Sequence, residues 1–222
     1  VRSRAPRVAV LDYGIGNLRS AHKALAWCGA DAALVTDPLE AARADAVVLP
    51  GVGAFGACMD ALRSSGLEPA VHAAVASGRP FLGICVGMQM MFEASEEDER
   101  TTGLGIVAGS VRWLGHTLPR PQMQWNRLDV DAAHVDDPLL APLRSESGAR
   151  PWMYFVHSLH GVPDDPGVVA ATCDYGETVN AAFRVSSTVF ATQFHPEKSG
   201  ADGLRLLSAF VDVAQHADRV PS

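Results

Sequence analysis

Short apolar runs that close on turn residues, alternating with stretches at helical spacing, constrain this chain more than any other feature. Val8 to Leu11 enters Asp12-Tyr13-Gly14-Ile15-Gly16-Asn17, and Leu18 to Trp27 then places apolar residues at helical spacing. Ala32 to Val35 and Ala46 to Leu49 are runs of the same kind, the second ending in Pro50-Gly51-Val52-Gly53. Phe55, Met59, Leu62, Val71 and Val75 mark helical segments interrupted near Gly66 and Pro69 and stopped at Gly78-Arg79-Pro80, ahead of Phe81 to Ile84. Runs this short and apolar suit strands buried on both faces, so the alternation predicts parallel βαβ units in an α/β fold.

The second half has a different rhythm. Val111 to Leu114, Leu128 to Val130, Met153 to Val156, Val168 to Thr172, Asn180 to Val185 and Val189 to Phe194 are closely spaced strand candidates, which predicts some antiparallel pairing. A last amphipathic helix, Ala201 to Gln215, carries Leu204, Leu207, Phe210 and Val211 on one face. The charged stretch Glu93 to Arg100 reads as a solvated helix end and loop. With no repeat or linker in view, residues 8–217 are expected to form one domain around a mostly parallel central sheet, with 1–7 and 218–222 as flexible termini.

The formal net charge of -7 argues against a surface built to neutralise phosphates, so no nucleic-acid partner is expected. No run approaches signal-peptide or membrane-spanning length, which predicts a cytoplasmic protein with no membrane association. Cys28, Cys58, Cys85 and Cys173 lie far apart without a CxxC pair, as reduced thiols rather than a metal or disulfide framework. His157 and His160 have helical spacing, but their stretch reads as strand and loop, so no metal or other cofactor is expected.

Cys85 stands apart from the other three thiols. Gly83-Ile84-Cys85-Val86-Gly87 has the form of a nucleophile elbow, a sharp strand-to-helix turn in which flanking glycines remove the Cβ atoms that would collide. A helix from Val86 to about Ala94 would place Cys85 at its N-terminus, where a thiolate is favoured. The plain alternative is a buried cysteine between two incidental glycines. His195-Pro196-Glu197 follows another apolar run, and strand alternation lets His195 and Glu197 project together as a base and its orienting carboxylate. A cysteine at one strand end and this pair at another have the composition of an activated nucleophile.

Pro50-Gly51-Val52-Gly53 ends a strand on the same side of the sheet, where the amides of Val52 and Gly53 could join the N–H of Val86 in an oxyanion hole. Gly51-Val52-Gly53-Ala54-Phe55-Gly56 also matches the GxGxxG form of a dinucleotide loop. Pro50 at the turn and the absence of a strand-end acid about 20 residues on weaken that alternative.

Taken together, Cys85 in GICVGMQ and His195-Pro196-Glu197 resemble the class I, or triad, glutamine amidotransferases, whose fold is flavodoxin-like with a central, largely parallel sheet. Asp12 to Asn17, Pro50 to Phe55, Met123 to Asn126, Tyr154 to Ser158 and His195 to Gly200 further resemble, in order, the glutaminase subunits of imidazole glycerol phosphate synthases. The resemblance implies hydrolysis of glutamine through a Cys85 thioester, with His195 and Glu197 as partners and Val52, Gly53 and Val86 at the oxyanion. It implies substrate contacts from Gln89, Gly51 and Ser158. It also implies a heterodimer with a separate (β/α)₈-barrel cyclase of histidine biosynthesis, faced by Asn17, Trp125, Tyr154 and Lys198. Where the family often has PHMGWN, this chain has Pro121-Gln122-Met123-Gln124-Trp125-Asn126. Glutaminases serving pyridoxal phosphate, nucleotide or anthranilate synthesis share the triad, and an autonomous cysteine hydrolase or a non-catalytic binding subunit are the more distant alternatives.

Overall fold

The computed structural model describes residues 4–145 and 147–217. The first half runs β1 (Arg7–Leu11), α1 (Leu18–Trp27), β2 (Asp31–Val35), α2 (Pro38–Ala42), β3 (Ala46–Gly51), α3 (Phe55–Ser64), α4 (Glu68–Ala76) and β4 (Phe81–Cys85). It continues with α5 (Val86–Gln89), β5 (Phe92–Ser95), β6 (Val107–Trp113), β7 (Gln122–Arg127), β8 (Asp129–Val130) and β9 (Trp152–His157). Then come β10 (Leu159–Pro163), β11 (Val169–Asp174), β12 (Thr178–Arg184), β13 (Val189–Thr192) and α6 (Gly200–Ala217).

Eight strands form one sheet in the order β2-β1-β3-β4-β13-β12-β11-β8. The five from β2 to β13 are parallel, and β12, β11 and β8 add antiparallel to that core. The α/β class with a parallel first half and antiparallel additions is therefore as the pattern predicts. β3, β4 and β13 are buried along their whole length, which explains why they read as continuous apolar runs rather than alternating ones. Beside the main sheet lie a three-stranded sheet, β10-β6-β5, and an antiparallel ribbon of β7 and β9.

The core is aromatic where layers meet. Phe190 of β13 meets Phe210 of α6 edge to face at 6.5 Å, and Phe155 of the ribbon meets Phe194 at 5.6 Å. Phe155, Phe194 and Phe210 are fully buried, each such side chain contributing about 1.5–3 kcal/mol.

The structure corrects several expectations. The helix after Cys85 ends at Gln89 instead of near Ala94. Its would-be continuation is captured by tertiary pairing: the Met90 carbonyl accepts from Leu104 N, the Met91 carbonyl from Ile106 and Val107 N, and Phe92–Ser95 pairs with β6. Phe92 drives this by packing edge to face on Phe183. Glu93 to Arg100 is thus a strand and a docked loop, not a solvated helix end. β7 was invisible because Gln122–Arg127 is mostly polar, and β10 lies where a loop was expected. At the amino end, Arg4 Nη2 meets Asp45 Oδ2 at 2.8 Å, the Pro6 carbonyl accepts from Asp31 N, and Arg7 begins β1, so residues 4–7 are tied to the sheet. The expected termini at 1–3 and 218–222 lie outside the described residues.

Gly87 shows why the turn after β4 needs glycine: a Cβ there would lie 1.9 Å from the Leu49 carbonyl oxygen of β3. Gly83 is similarly closed, with Met91 Sδ 2.6 Å from its would-be Cβ. The expected outcome for Gly87→Ala is a loss of about 2–3 kcal/mol in urea unfolding. Gly66→Ala, at a positive φ of 75° but with open space around it, is expected to lose only about 1 kcal/mol. Equal losses would show that the approach of β3 is not what restricts Gly87.

Candidate active site

Three adjacent parallel strands end at one edge. Gly51 of β3 pairs with Cys85 of β4, and Thr192 of β13 pairs with Ile84 on the other side, so Gln193 and His195 emerge beside the cysteine. Cys85 has φ 54° and ψ −115°, the one positive φ outside glycine among the described residues. A strained backbone of this kind persists only when its surroundings hold it. Gly51 is one such support, since a Cβ on it would lie 2.6 Å from Gly87 N. Gly51 therefore lets the elbow close and is not on the wall of the adjoining cavity.

His195 and Glu197 meet differently from the strand alternation expected. β13 ends at Thr192, and Pro196–Lys198 forms a short 3₁₀ turn that curls the carboxylate back to the ring. His195 Nδ1 lies 2.8 Å from Glu197 Oε1, with both side chains 2% exposed. That bond places the Nδ1 proton toward the carboxylate and leaves Nε2, buried and without a hydrogen-bond partner, for Cys85. Burial opposes charge on this ring, but Cys85 and Glu197 outweigh it and raise the His195 pKa to about 10. The surroundings of the ring thus favour its protonated form. Its backbone is fixed too: His195 N donates to the Tyr154 carbonyl at 3.0 Å, and Ser199 Oγ donates to the His195 carbonyl at 2.6 Å.

Cys85 and His195 open on a cavity of about 250 Å³ whose wall includes Val52, Gly53, Val86, Gln89 and Ser158. A larger cavity of about 480 Å³, bordered by residues 128–130, 140, 143–145 and 148–151, contains none of the candidate residues. Two buried donors clamp the Pro50–Gly53 loop: Tyr13 Oη donates to the Pro50 carbonyl at 2.7 Å and Cys58 Sγ to the Val52 carbonyl at 3.3 Å. Burial pushes both the Tyr13 and Cys58 pKa values up, keeping them protonated as donors. The GxGxxG alternative meets a direct obstacle at the same loop. The start of α3, where a pyrophosphate would sit, is occupied by Glu97, whose Oε2 accepts from Phe55 N at 2.6 Å.

Gln89 is 3% exposed, so it is no solvent-facing helical residue. Its Nε2 donates to the Leu159 carbonyl at 3.1 Å and to Gln193 Oε1 at 3.2 Å. His157, also on the cavity wall, was unassigned by sequence. Its Nδ1 donates to the Leu159 carbonyl at 2.8 Å, and its buried Nε2 has no partner. His160 turns elsewhere, its Nδ1 accepting from Asn180 N at 3.3 Å, so the two imidazoles do not converge on one ion. Among the described residues no cluster of three or more metal-type side chains occurs.

Of the residues expected at a partner surface, Trp125 and Tyr154 are cross-strand partners with ring centroids 6.0 Å apart. Trp125 is 48% exposed, so it is not a core residue, and Lys198 is exposed. The same outward face of the ribbon carries Met123, 65% exposed, and Trp152 beneath the Arg127 guanidinium at 4.8 Å. Asn17 precedes α1, its Oδ1 accepting from Ser20 Oγ at 3.0 Å. Gln122 turns inward and is fully buried near Cys173, while Gln124 is exposed.

A family model described as glutamine amidotransferase class-I matches residues 9–213. The imidazole glycerol phosphate synthase subunit HisH of Synechococcus sp. (strain JA-3-3Ab) is 46% identical over 221 residues, covering 99% of this chain and 98% of that protein. Its counterpart from Synechococcus sp. (strain JA-2-3B'a(2-13)) is 47% identical over 210 residues, covering 94% of this chain and 93% of that protein. Among solved structures, that of PurLQS from Thermotoga maritima has a TM-score of 0.73 at 21% identity, covering 94% of this chain and 99% of that one, which shows a shared fold. No helix of the described residues is long and apolar enough to cross a membrane.

The two histidines predict opposite pH effects. Burial lowers the His157 pKa to about 4, so between its ordinary value and about pH 4 the unfolded chain takes up a proton that the folded chain does not. Stability is therefore expected to fall as pH drops through that window, by on the order of 2 kcal/mol at pH 5. The raised His195 pKa acts in the opposite sense, its contribution complete at acid pH and lost as pH rises toward about 10. Urea unfolding of wild type and His157→Asn at pH 5 and pH 7 checks this: the variant should show the smaller acid loss, and an unchanged loss would assign it to other groups.

Proposed function

As the chain belongs to the class I glutamine amidotransferase family, we propose that Cys85, His195 and Glu197 are its catalytic triad in the glutaminase subunit of an imidazole glycerol phosphate synthase. The observation that carries the assignment is the His195–Glu197 pair at 2.8 Å, with its free Nε2 beside Cys85 at the mouth of one cavity. The Cys85 thiolate attacks the side-chain amide carbon of glutamine, and His195 gives its proton to the departing ammonia. Water then attacks the glutamyl thioester with His195 as base, releasing glutamate and restoring the thiolate. Glu197 holds the imidazole orientation throughout.

The N–H groups of Val86 and of the Val52–Gly53 loop face the developing oxyanion, a preorganised donor of this type contributing about 3–4 kcal/mol. Gln89 and Ser158, on the cavity wall, hold the substrate, and Gly51 acts by admitting the elbow's backbone. The cavity's volume suits an amino acid rather than a peptide, which disfavours an autonomous peptidase.

The partner is a (β/α)₈-barrel cyclase that consumes the ammonia, forming imidazole glycerol phosphate and an aminoimidazole carboxamide ribotide. Its docking face includes Asn17, Lys198 and the ribbon pair Trp125 and Tyr154, large amphipathic rings of the kind that anchor interfaces. The synthesis runs in the cytoplasm and needs no cofactor on this chain. Near-full-length identity of 46–47% to subunits named for this synthase supports it over glutaminases of other pathways.

Glutamine hydrolysis is expected to be slow for the chain alone and to rise when the cyclase and its ribonucleotide substrate are added. Equal turnover with and without the cyclase would exclude this partner. Cys85→Ala is expected to lose glutamine-driven synthesis by at least about 10³-fold while the reconstituted complex still uses free ammonia. Glutaminase turnover retained in that variant would remove Cys85 from the mechanism.

A further inference from the structure

The nucleophile has a second polar neighbour besides His195. Gln193 is fully buried, and its Nε2 lies 3.8 Å from Cys85 Sγ. Side-chain amides can be placed either way round, but here a backbone carbonyl decides the matter. The Leu159 oxygen can only accept, so the Gln89 atom facing it must be the amide nitrogen. That same nitrogen gives its other hydrogen to Gln193, so the Gln193 atom facing Gln89 must be the oxygen. The amide of Gln193 is left with its NH₂ toward sulfur. Turning it over would set two NH₂ groups against each other and a carbonyl oxygen against a sulfur anion.

A donor at this place has a clear task. The helix after Cys85 is a single turn, too short to supply the dipole that a longer helix would bring to a thiolate. His195 divides its proton between substrate and sulfur, giving it to ammonia during thioester formation and regaining one from water. When water attacks the thioester, His195 takes the water proton, the C–S bond breaks, and its electron pair departs on Cys85 Sγ. The Gln193 N–H is already in place for that charge. A separation of 3.8 Å suits a weak bond to neutral sulfur and is expected to shorten as the sulfur becomes anionic.

We propose that Gln193 is a further site residue, donating to the Cys85 sulfur through an amide whose orientation is fixed by the Leu159 carbonyl and Gln89. The proposal rests on Cys85 as the nucleophile, and its test separates the two. The pH dependence of Cys85 alkylation by iodoacetamide, read on the Cys85 peptide by mass spectrometry, reports the thiolate without any need for turnover. In Gln193→Met, which keeps the shape and removes the donor, the midpoint is expected to rise by about one pH unit, a tenfold loss of thiolate. In the complex with the cyclase, kcat should fall about tenfold with KM changed less than threefold.

Gln193→Glu keeps the acceptor for Gln89 but faces sulfur with a carboxylate, so its alkylation midpoint should move further in the same direction. This near-isosteric variant also decides the matter should Gln193→Met fail to fold. Alkylation profiles in the folded variants that overlay the wild type, or a loss confined to KM, would overturn the role of Gln193. Retained glutaminase activity in Cys85→Ala would instead overturn the assignment of the nucleophile.

Discussion

The parallel pairing of β4 with β13 is the constraint on which the rest of this site depends. It joins two segments more than a hundred residues apart and sets Thr192 against Ile84, so the residues after each strand emerge side by side. β3 does the same on the other flank through Gly51 and Cys85. Three strand ends then deliver a glycine loop, a strained cysteine and a histidine to one edge without any of those residues reaching far. The energy that holds them is the burial of apolar strands on both faces, which has no connection with the chemistry they support.

Much of this was legible in the chain itself. The runs ending at Leu11, Leu49 and Ile84 are strands buried on both faces of the sheet, as short aliphatic stretches closed by turn residues suggest, and the run ending at Val35 is the exposed edge strand beside them. The elbow was legible because glycine at 83 and 87 answers to specific collisions with Met91 and Leu49. β7 was not, since Gln122–Arg127 pairs with β9 through its backbone and keeps polar side chains that no hydrophobic pattern records. Neither was the early end of α5, where carbonyls of Met90 and Met91 find partners fifteen or so residues away.

Within the candidate site, Cys85, His195 and Glu197 could be picked out by type but their manner of meeting could not. Strand alternation suggested how His195 and Glu197 come together, whereas a turn after β13 brings the carboxylate to Nδ1. Gln193 stood two residues before His195 in the same motif, yet a glutamine at a strand end has no distinguishing mark until its neighbours fix its amide. Glu97 and His157 were hidden for a related reason: one caps α3 from a loop 42 residues away, and the other owes its neutrality chiefly to burial.

Cys85 and His195 rest on separate supports. Cys85 belongs to the interior of the main sheet, while the backbone of His195 hangs on β9, through the Tyr154 carbonyl and through Ser199 Oγ, which accepts from Tyr154 N. Trp152 N extends that attachment to Asp202 at the start of α6. The strand that carries Trp152 and Tyr154 thus also holds the backbone of His195. Evolution can accordingly remodel the outward side chains of the ribbon while its hydrogen-bonding groups stay committed inward. The outward side chains and the main-chain bonds that position His195 occupy a face and an edge of a single strand.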